Sequence, residues 1–306
     1  MVATRMASFL WSTASASARW LAQQDILPRI SLGCRVISIG NLQAGGSGKT
    51  PLVAFVANQA HEQGLRTCIL SRGYRGGWES RGGMIHPGDS VRAADCGDEP
   101  ALLHELCPHS HIGVGADRAQ QFLALAKIPT QIDLVILDDG FQHWKIKKDL
   151  EIVVLTDAEP EQTLHRDFRS ALKFADLIVT TKGATISTAK PFVQFEQSLS
   201  GPSDPSQKYW LVTGIADGSS ARAMIERSGY QIIHHDCLKD HEQYTEDSVR
   251  NYLEAAQKKS LKIALTGKDW VKWKDCGVSK NEVEVLEPQL KLKKGAHEWA
   301  RVLWGK

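Results

Sequence analysis

The stretch from Ile39 to Pro51, IGNLQAGGSGKTP, sets Gly48, Lys49 and Thr50 in an order that handles phosphate. In a GxxxxGK(S/T) loop, backbone N–H groups wrap the phosphates, the lysine holds the outer pair and the hydroxyl meets magnesium. The apolar run RVISIG precedes the loop and the helical pattern TPLVAFVANQAHEQG follows it, which is the strand–loop–helix setting that gives the motif meaning. Gln43 stands where such a loop usually opens on glycine, so Gly45, Gly46 and Gly48 carry the turn, with Ser47 between them. A lysine just before the paired glycines would mark a regulatory ATPase, and Ala44 stands there instead. A nucleotide site also needs an acid at the end of a neighbouring strand, and LVILDDG offers Asp138 and Asp139. The competing readings are a glycine-rich turn that binds nothing and an acid pair that merely opens an Asp-Gly turn. GTP is disfavoured: Gly140 follows Asp138 too soon for DxxG, and TTKGA at Thr180 lacks the aspartate of a guanine-reading NKxD. ATP is the expected nucleotide.

Arginines and acids recur in other turns: SRGYRGG from Ser71, GDEP from Gly97, GADR from Gly115 and DDGFQH from Asp138. Arg72, Arg75 and Arg118 could each engage phosphate through a planar fork, although a lone arginine is commonly just solvated. Asp98 has a plain account too, because DEP before ALLHEL reads as a helix start with Pro100 in the first turn. The clusters CPHSH and HHDC hold possible metal ligands without a zinc spacing, so ordinary packing and surface histidines are expected there.

These residues need a scaffold to bring them together. Short Val/Ile/Leu-rich runs at RVISIG, TCILS, IDLVILDD, EIVVLTD and DLIVTT alternate with helical patterns, which predicts a mainly parallel sheet covered on both faces. Ligands of such folds gather beyond the carboxyl ends of the strands. The Ser/Pro/Gly-rich stretch Ser198 to Lys208 reads as a linker, and a second α/β set follows in YWLVTGI, YQIIHH and LKIALTG with helices between. The expected organisation is an N-terminal helix over 1–30, a P-loop core over 31–200 and a smaller α/β domain over 206–306. The fold class is α/β, P-loop NTPase-like.

With Lys plus Arg at 37 against Asp plus Glu at 35, there is no basic field of the kind that signals nucleic acid. Six cysteines without a CxxC pair, and no cleavable secretory leader, point to reduced thiols. Met6 to Ala18 is uncharged but falls short of the roughly 20 residues that span a bilayer. On a helix, Met6, Leu10, Ala14, Ala18 and Leu21 share a face beside Phe9, Trp11 and Trp20, with Arg5, Arg19 and Arg29 available for lipid phosphates. That pattern suits a helix lying in a membrane surface or one packed on its own domain.

Taken together the motifs resemble a known family, the tetraacyldisaccharide 4'-kinases, or lipid A 4'-kinases. That family shows, in order, VGNxxxGGxGKTP, SRGYG, GDEP, DR, DDGxQH, LREP, GIGxP, DHHxYT and TEKDxVK. This chain has IGNLQAGGSGKTP, SRGYRGG, GDEP, GADR, DDGFQH, HRDF, GIADG, DHEQYT and TGKDWVK, from about Arg35 to Lys272. The resemblance implies that Gly45, Gly46, Ser47, Gly48, Lys49 and Thr50 bind ATP, that Thr50, Asp138 and Asp139 serve Mg2+, and that Asp98 and His241 activate a sugar hydroxyl. It places Arg118, Gln142, His143 and Arg166 against the anionic glycolipid or the transferring phosphate. Glu242, Gly267 and the pair Asp167-Phe168 depart from the family pattern.

A sugar hydroxyl is a poor nucleophile, so a positioned base that accepts its proton helps, while Lys49 and magnesium offset charge on the phosphoryl group. His241 falls in the second unit and Asp98 in the first, so domain closure would assemble the pair. The resemblance implies an acylated disaccharide lipid substrate and a monomer held peripherally on the cytoplasmic face of a bacterial inner membrane through Met6 to Leu21. The alternatives are a P-loop ATPase switch acting through a protein partner, which needs no Asp-His base, and a kinase for a soluble sugar, which leaves the apolar N-terminal helix unexplained.

Overall fold

The computed structural model describes residues 2–43, 48–125, 131–156, 164–181 and 188–306. Gly45, Gly46 and Ser47 lie outside the described residues. The chain opens with helix α1 (Val2–Gln23) and then runs β1 (Arg35–Asn41), α2 (Lys49–Glu62), β2 (Thr67–Ser71), α3 (Trp78–Arg81), β3 (Gly83–Ile85), α4 (Ala93–Cys96), α5 (Asp98–Leu106), β4 (His111–Val114) and α6 (Arg118–Leu125). Strands β5 (Leu134–Asp138), β6 (Leu150–Leu155), β7 (Leu177–Thr180) and β8 (Phe192–Ser198) complete the core. The later part contains β9 (Lys208–Thr213), α7 (Gly218–Arg227), β10 (Gln231–Cys237), α8 (Glu246–Lys258), β11 (Lys262–Thr266), α9 (Gly267–Asp275), β12 (Val283–Leu286), β13 (Gln289–Lys294) and α10 (Ala296–Trp304).

Nine strands form one sheet in the order β13-β8-β7-β6-β1-β5-β2-β4-β3, parallel except for the two edge strands β13 and β3. The near-continuous apolar runs of β1, β2 and β5 belong in such a sheet, because helices cover both faces and leave no polar side. Register then does the positioning. Ile39 of β1 pairs with Asp138 of β5, so the loop leaving β1 emerges beside the acids that end β5. On the other flank Asn41 pairs with Val154 of β6. Helix α2 buries Leu52, Val53, Val56, Ala57 and Ala60 at helical spacing against the sheet, and this directs its first residues at the strand ends.

The smaller sheet is all parallel, β10-β9-β11-β12. It joins the core through α9, whose Trp270, Val271 and Trp273 are buried in the same hydrophobic cluster as Leu102 and Leu103 of α5. Gly267, a departure from the family motif, starts α9 there, and a Cβ at that position would come within 2.9 Å of Leu102.

Two expectations need correction. The unit expected over 206–306 does not hold together to its end: after β12 the chain returns to the large sheet, where β13 pairs antiparallel with β8. Helix α10 follows it, with the Trp299 ring 5.0 Å from Phe195 and 5.8 Å from Phe55. The alternation in QLKLKK buries Leu290 and leaves lysines on an exposed sheet edge, the usual device against edge-to-edge pairing. The second correction concerns α1. Its inward face is Ser8, Ser12, Ser15, Arg19 and Ala22, all buried, while Met6, Phe9, Leu10, Trp11 and Trp20 are exposed. Arg19 is therefore unavailable to lipid phosphates: it ion-pairs with Asp167 inside the protein.

Candidate active site

The site is built at the carboxyl ends of β1, β5 and their neighbours. Gly48 precedes α2 with φ 79°, a left-handed conformation that glycine adopts without penalty, and a Cβ there would lie 2.8 Å from Thr181 Oγ1. Lys49 and Thr50 then begin the helix. Lys49 Nζ lies 3.5 Å from Asp139 Oδ1. Asp139 itself is held at φ 52° immediately after β5.

Arg166 grips that carboxylate with both arms, Nη1 to Oδ2 at 2.6 Å and Nη2 to Oδ1 at 2.8 Å, and also donates to Asn41 Oδ1. Arg118 Nη1 donates to the Asp139 carbonyl at 3.4 Å. Burial opposes the charge on Asp139, yet Lys49, Arg166 and Arg118 together hold its carboxyl well below the usual range. Asp138 behaves in the opposite way. Burial, with the charges of Glu99 and Asp139, pushes its carboxyl up, and Ser71 Oγ donates to its Oδ2 at 3.0 Å. The two adjacent acids are thus chemically distinct, one held ionised by nearby cations and one whose charge is opposed by burial and by neighbouring acids.

Gln142 donates from Nε2 to the Asn41 carbonyl at 3.0 Å. Burial and the charges of Arg118 and Lys148 push the His143 imidazole down to about 3, so the ring is neutral at physiological pH. Arg118 Nε, Gln142 Oε1, His143 Nε2 and Arg166 Nε are all buried without a hydrogen-bond partner among the described residues. Buried polar atoms are rarely left unpaired.

Asp98 opens α5 after Gly97, whose φ of 97° and close approach to the Gly73 backbone, 3.3 Å from an added Cβ, exclude a side chain. His241 enters from the smaller sheet at φ 63°, its N–H donating to the Gly214 carbonyl at 3.2 Å. Its Nδ1 donates to Asp98 Oδ2 at 2.9 Å. The pair expected to need domain closure is already joined. It lines a cavity of about 500 Å³ with Tyr74, Arg75, Arg92, Tyr244 and Lys272.

The cysteine–histidine clusters stay apart from this chemistry. Among the described residues no group of three or more His, Cys, Asp and Glu is arranged to hold a metal ion.

Comparison with known proteins agrees with the geometry. The profile of the family described as tetraacyldisaccharide-1-P 4'-kinase matches residues 2–304. This chain belongs to that family. A tetraacyldisaccharide 4'-kinase of Geobacter metallireducens is 34% identical, with 78% of each chain covered. That of Chlorobaculum parvum is 29% identical over 78% of this chain and 75% of its own. Among solved structures, the "apo" form of LpxK from Aquifex aeolicus in complex with ATP superposes with a TM-score of 0.79. It covers 97% of this chain and 96% of its own at 24% identity, a likeness of fold.

Within this family member the structure adds residues that motif reading passed over. Glu99, read with Asp98 as part of a helix start, forms an ion pair with Lys268 of α9 at 2.6 Å and acts electrostatically on Asp138. Asp269 is fully buried and accepts from Gly214 N at 3.0 Å, Tyr244 Oη at 3.0 Å and Thr266 Oγ1 at 2.6 Å. Lys272 donates to the Glu242 carbonyl at 3.0 Å. Asp269 and Lys272 thereby brace the loop that carries His241. The signal was their place in TGKDWVK, but only the fold shows which loop they brace.

Proposed function

We infer that this protein transfers the γ-phosphoryl group of ATP to the 4'-hydroxyl of a tetraacylated glucosamine disaccharide 1-phosphate, a step of lipid A biosynthesis. One observation supports the reading: Asp98 of the core is hydrogen-bonded to His241 of the smaller unit, and its neighbour Glu99 acts electrostatically with Lys49, Asp138 and Asp139 of the phosphate site. In the transfer, the sugar oxygen attacks the γ-phosphorus, the bond from that phosphorus to the ADP oxygen breaks, and the hydroxyl proton passes to the Asp98–His241 pair. Lys49 and Arg166 sit where they can stabilise charge on the phosphate oxygens. Arg118, Gln142 and neutral His143 offer their unpaired atoms to the donor or acceptor.

The donor set fits magnesium: Asp138 and the Thr50 hydroxyl supply the oxygen ligands that this hard cation takes, and Glu99 and Asp139 crowd Asp138 with negative charge that a cation would relieve. A bound ion would neutralise charge on the transferring phosphoryl group. Asp139 is already occupied by Lys49 and Arg166, so it serves better as their anchor than as a direct ligand.

Among the described residues no helix is long and apolar enough to cross a membrane. The exposed row Met6, Phe9, Leu10 and Trp11 on α1 instead supports a peripheral protein whose α1 lies in the cytoplasmic surface of the inner membrane, where an acylated substrate is met. No observation favours the partner-switch reading, which leaves the Asp98–His241 pair without work. The test is transfer of label from ATP to a tetraacylated disaccharide 1-phosphate in mixed micelles. A labelled lipid product is expected, and its absence across detergents would overturn the reading.

A further inference from the structure

The buried face of α1 touches the phosphate site at two removes. His165 N donates to Ser8 Oγ at 2.9 Å, and Arg19 forks onto Asp167, with Nη1 3.2 Å from Oδ1 and Nη2 on Oδ2. These contacts straddle Arg166, whose own N–H donates to the Leu42 carbonyl at 2.7 Å and whose guanidinium clamps Asp139. The Arg19 guanidinium is also walled by aromatic rings, 5.1 Å from Phe141, 4.8 Å from Trp144 and 4.9 Å from Phe174. Phe141 and Trp144 bracket Gln142 and His143 in sequence. One side chain of α1 thus holds both loops that deliver Arg166, Gln142 and His143.

The location of this ion pair argues against a role in stability. Arg19 and Asp167 are nearly sealed from solvent, and Arg19 Nε has no hydrogen-bond partner among the described residues. Desolvating such a pair costs about as much as its attraction returns, and well-packed apolar replacements are commonly neutral or stabilising. A fixed bidentate fork with aromatic walls does supply orientation.

We propose that Arg19 and Asp167 are positioning residues that lock Arg166 and the Phe141–Trp144 loop in their working geometry, making α1 a structural part of the phosphate site as well as its outward-facing apolar helix. The proposal rests on ATP binding at the P-loop and not on the identity of the acceptor.

The decisive variant is Arg19→Met with Asp167→Leu, which replaces the pair by apolar side chains of similar size. The expected result is a folded protein with an unfolding temperature within a few degrees of wild type and unchanged sedimentation with phosphatidylethanolamine–phosphatidylglycerol vesicles. Its ATP-Mg affinity, read by calorimetry without acceptor, should fall several-fold and kcat by about tenfold or more, the scale expected when positioning is lost. Arg19→Lys, which keeps the charge and most of the packing but not the fork, should lose a similar share of kcat while sparing the KM for lipid. Wild-type kcat and ATP affinity in either folded variant would overturn the proposal. Because calorimetry needs no lipid, failure of the acceptor reading would show as intact ATP binding without lipid product and would leave this test readable.

Discussion

If the Asp98–His241 pair takes the hydroxyl proton, its two members act as one unit, and their removal should be non-additive. The geometry sets the scale. His241 Nδ1 and Asp98 Oδ2 are 2.9 Å apart, and both side chains are largely buried, 15% and 9% exposed. General-base assistance is commonly a factor of about 10² to 10⁴, or roughly 3 to 5 kcal/mol of barrier. Removing one partner of this buried hydrogen bond costs about 1–3 kcal/mol of stability. Asp98→Ala and His241→Ala should therefore each lower kcat by two to four orders of magnitude while shifting the unfolding temperature by only a few degrees. The double variant should be hardly worse than the poorer single, because a base without its partner has already lost its function. The assay is single-turnover transfer to the lipid acceptor, alongside ATP affinity measured without acceptor, which should be preserved in all three variants. Additive losses in the double variant, or a single variant that keeps a tenth of wild-type kcat, would refute the pair as a unit. Near-normal ATP consumption without acceptor dependence would refute the kinase reading in favour of a switch.

Other outcomes follow from the same geometry. Gly48→Ala forces a Cβ against Thr181 at a left-handed φ, so ATP affinity should collapse and stability fall by about 1–2 kcal/mol, read by calorimetry and thermal unfolding. Lys268→Met breaks the pair with Glu99 across the two units. Both side chains are partly exposed, 25% and 38%, so solvent screening limits the stability loss to about 1 kcal/mol, while transfer to lipid falls further because Glu99 is left facing the acids of the site. Chelating divalent cations should abolish turnover and leave the unfolding temperature of the nucleotide-free protein nearly unchanged; an equal fall in both would contradict a purely substrate-side role for magnesium. Leu10→Ser with Trp11→Ser removes exposed apolar surface worth about 1.5–3 kcal/mol per buried side chain, so vesicle binding should drop by tenfold or more with kcat on detergent-dispersed substrate intact.

Much of the core was legible because its signals are local. A strand buried on both faces can only be a continuous apolar run, so β1, β2, β5, β6 and β7 announce themselves, and Asp138 falls at a strand end and Lys49 at the start of the helix after β1, as spacing requires. What was not legible depends on contacts distant in sequence. The return of β13 to β8 spans the whole smaller sheet, and only the alternation of Leu290 and Leu292 hinted at a strand. The buried face of α1 is hidden in the sequence because its residues, Ser8, Ser12, Ser15 and Arg19, are polar. Ser8, Ser12 and Ser15 let the helix approach the core closely, and Arg19 finds a buried carboxylate at Asp167. Glu99 could have been suspected from the acid pair in GDEP, but its partner Lys268 is supplied by the other unit.

The ion pairs of the site also suggest how ATP is admitted without leaving charges stranded. Lys49, Arg118, Arg166 and Lys268 face Asp98, Glu99, Asp138 and Asp139, so each fixed cation has an acid to answer it before any ligand arrives. Such pre-placed charges stabilise a transition state without reorganising when charge develops. The pairs differ in tightness. Arg166 holds Asp139 through two bonds of 2.6 and 2.8 Å, whereas Lys49 lies 3.5 Å from the same carboxylate, beyond the usual length of a charge-assisted hydrogen bond. An entering phosphate can therefore draw Lys49 away at small cost while Arg166 keeps Asp139 neutralised in place. On this argument Lys49 would be the cation free to follow the phosphoryl group, and Arg166 the one that stays on Asp139.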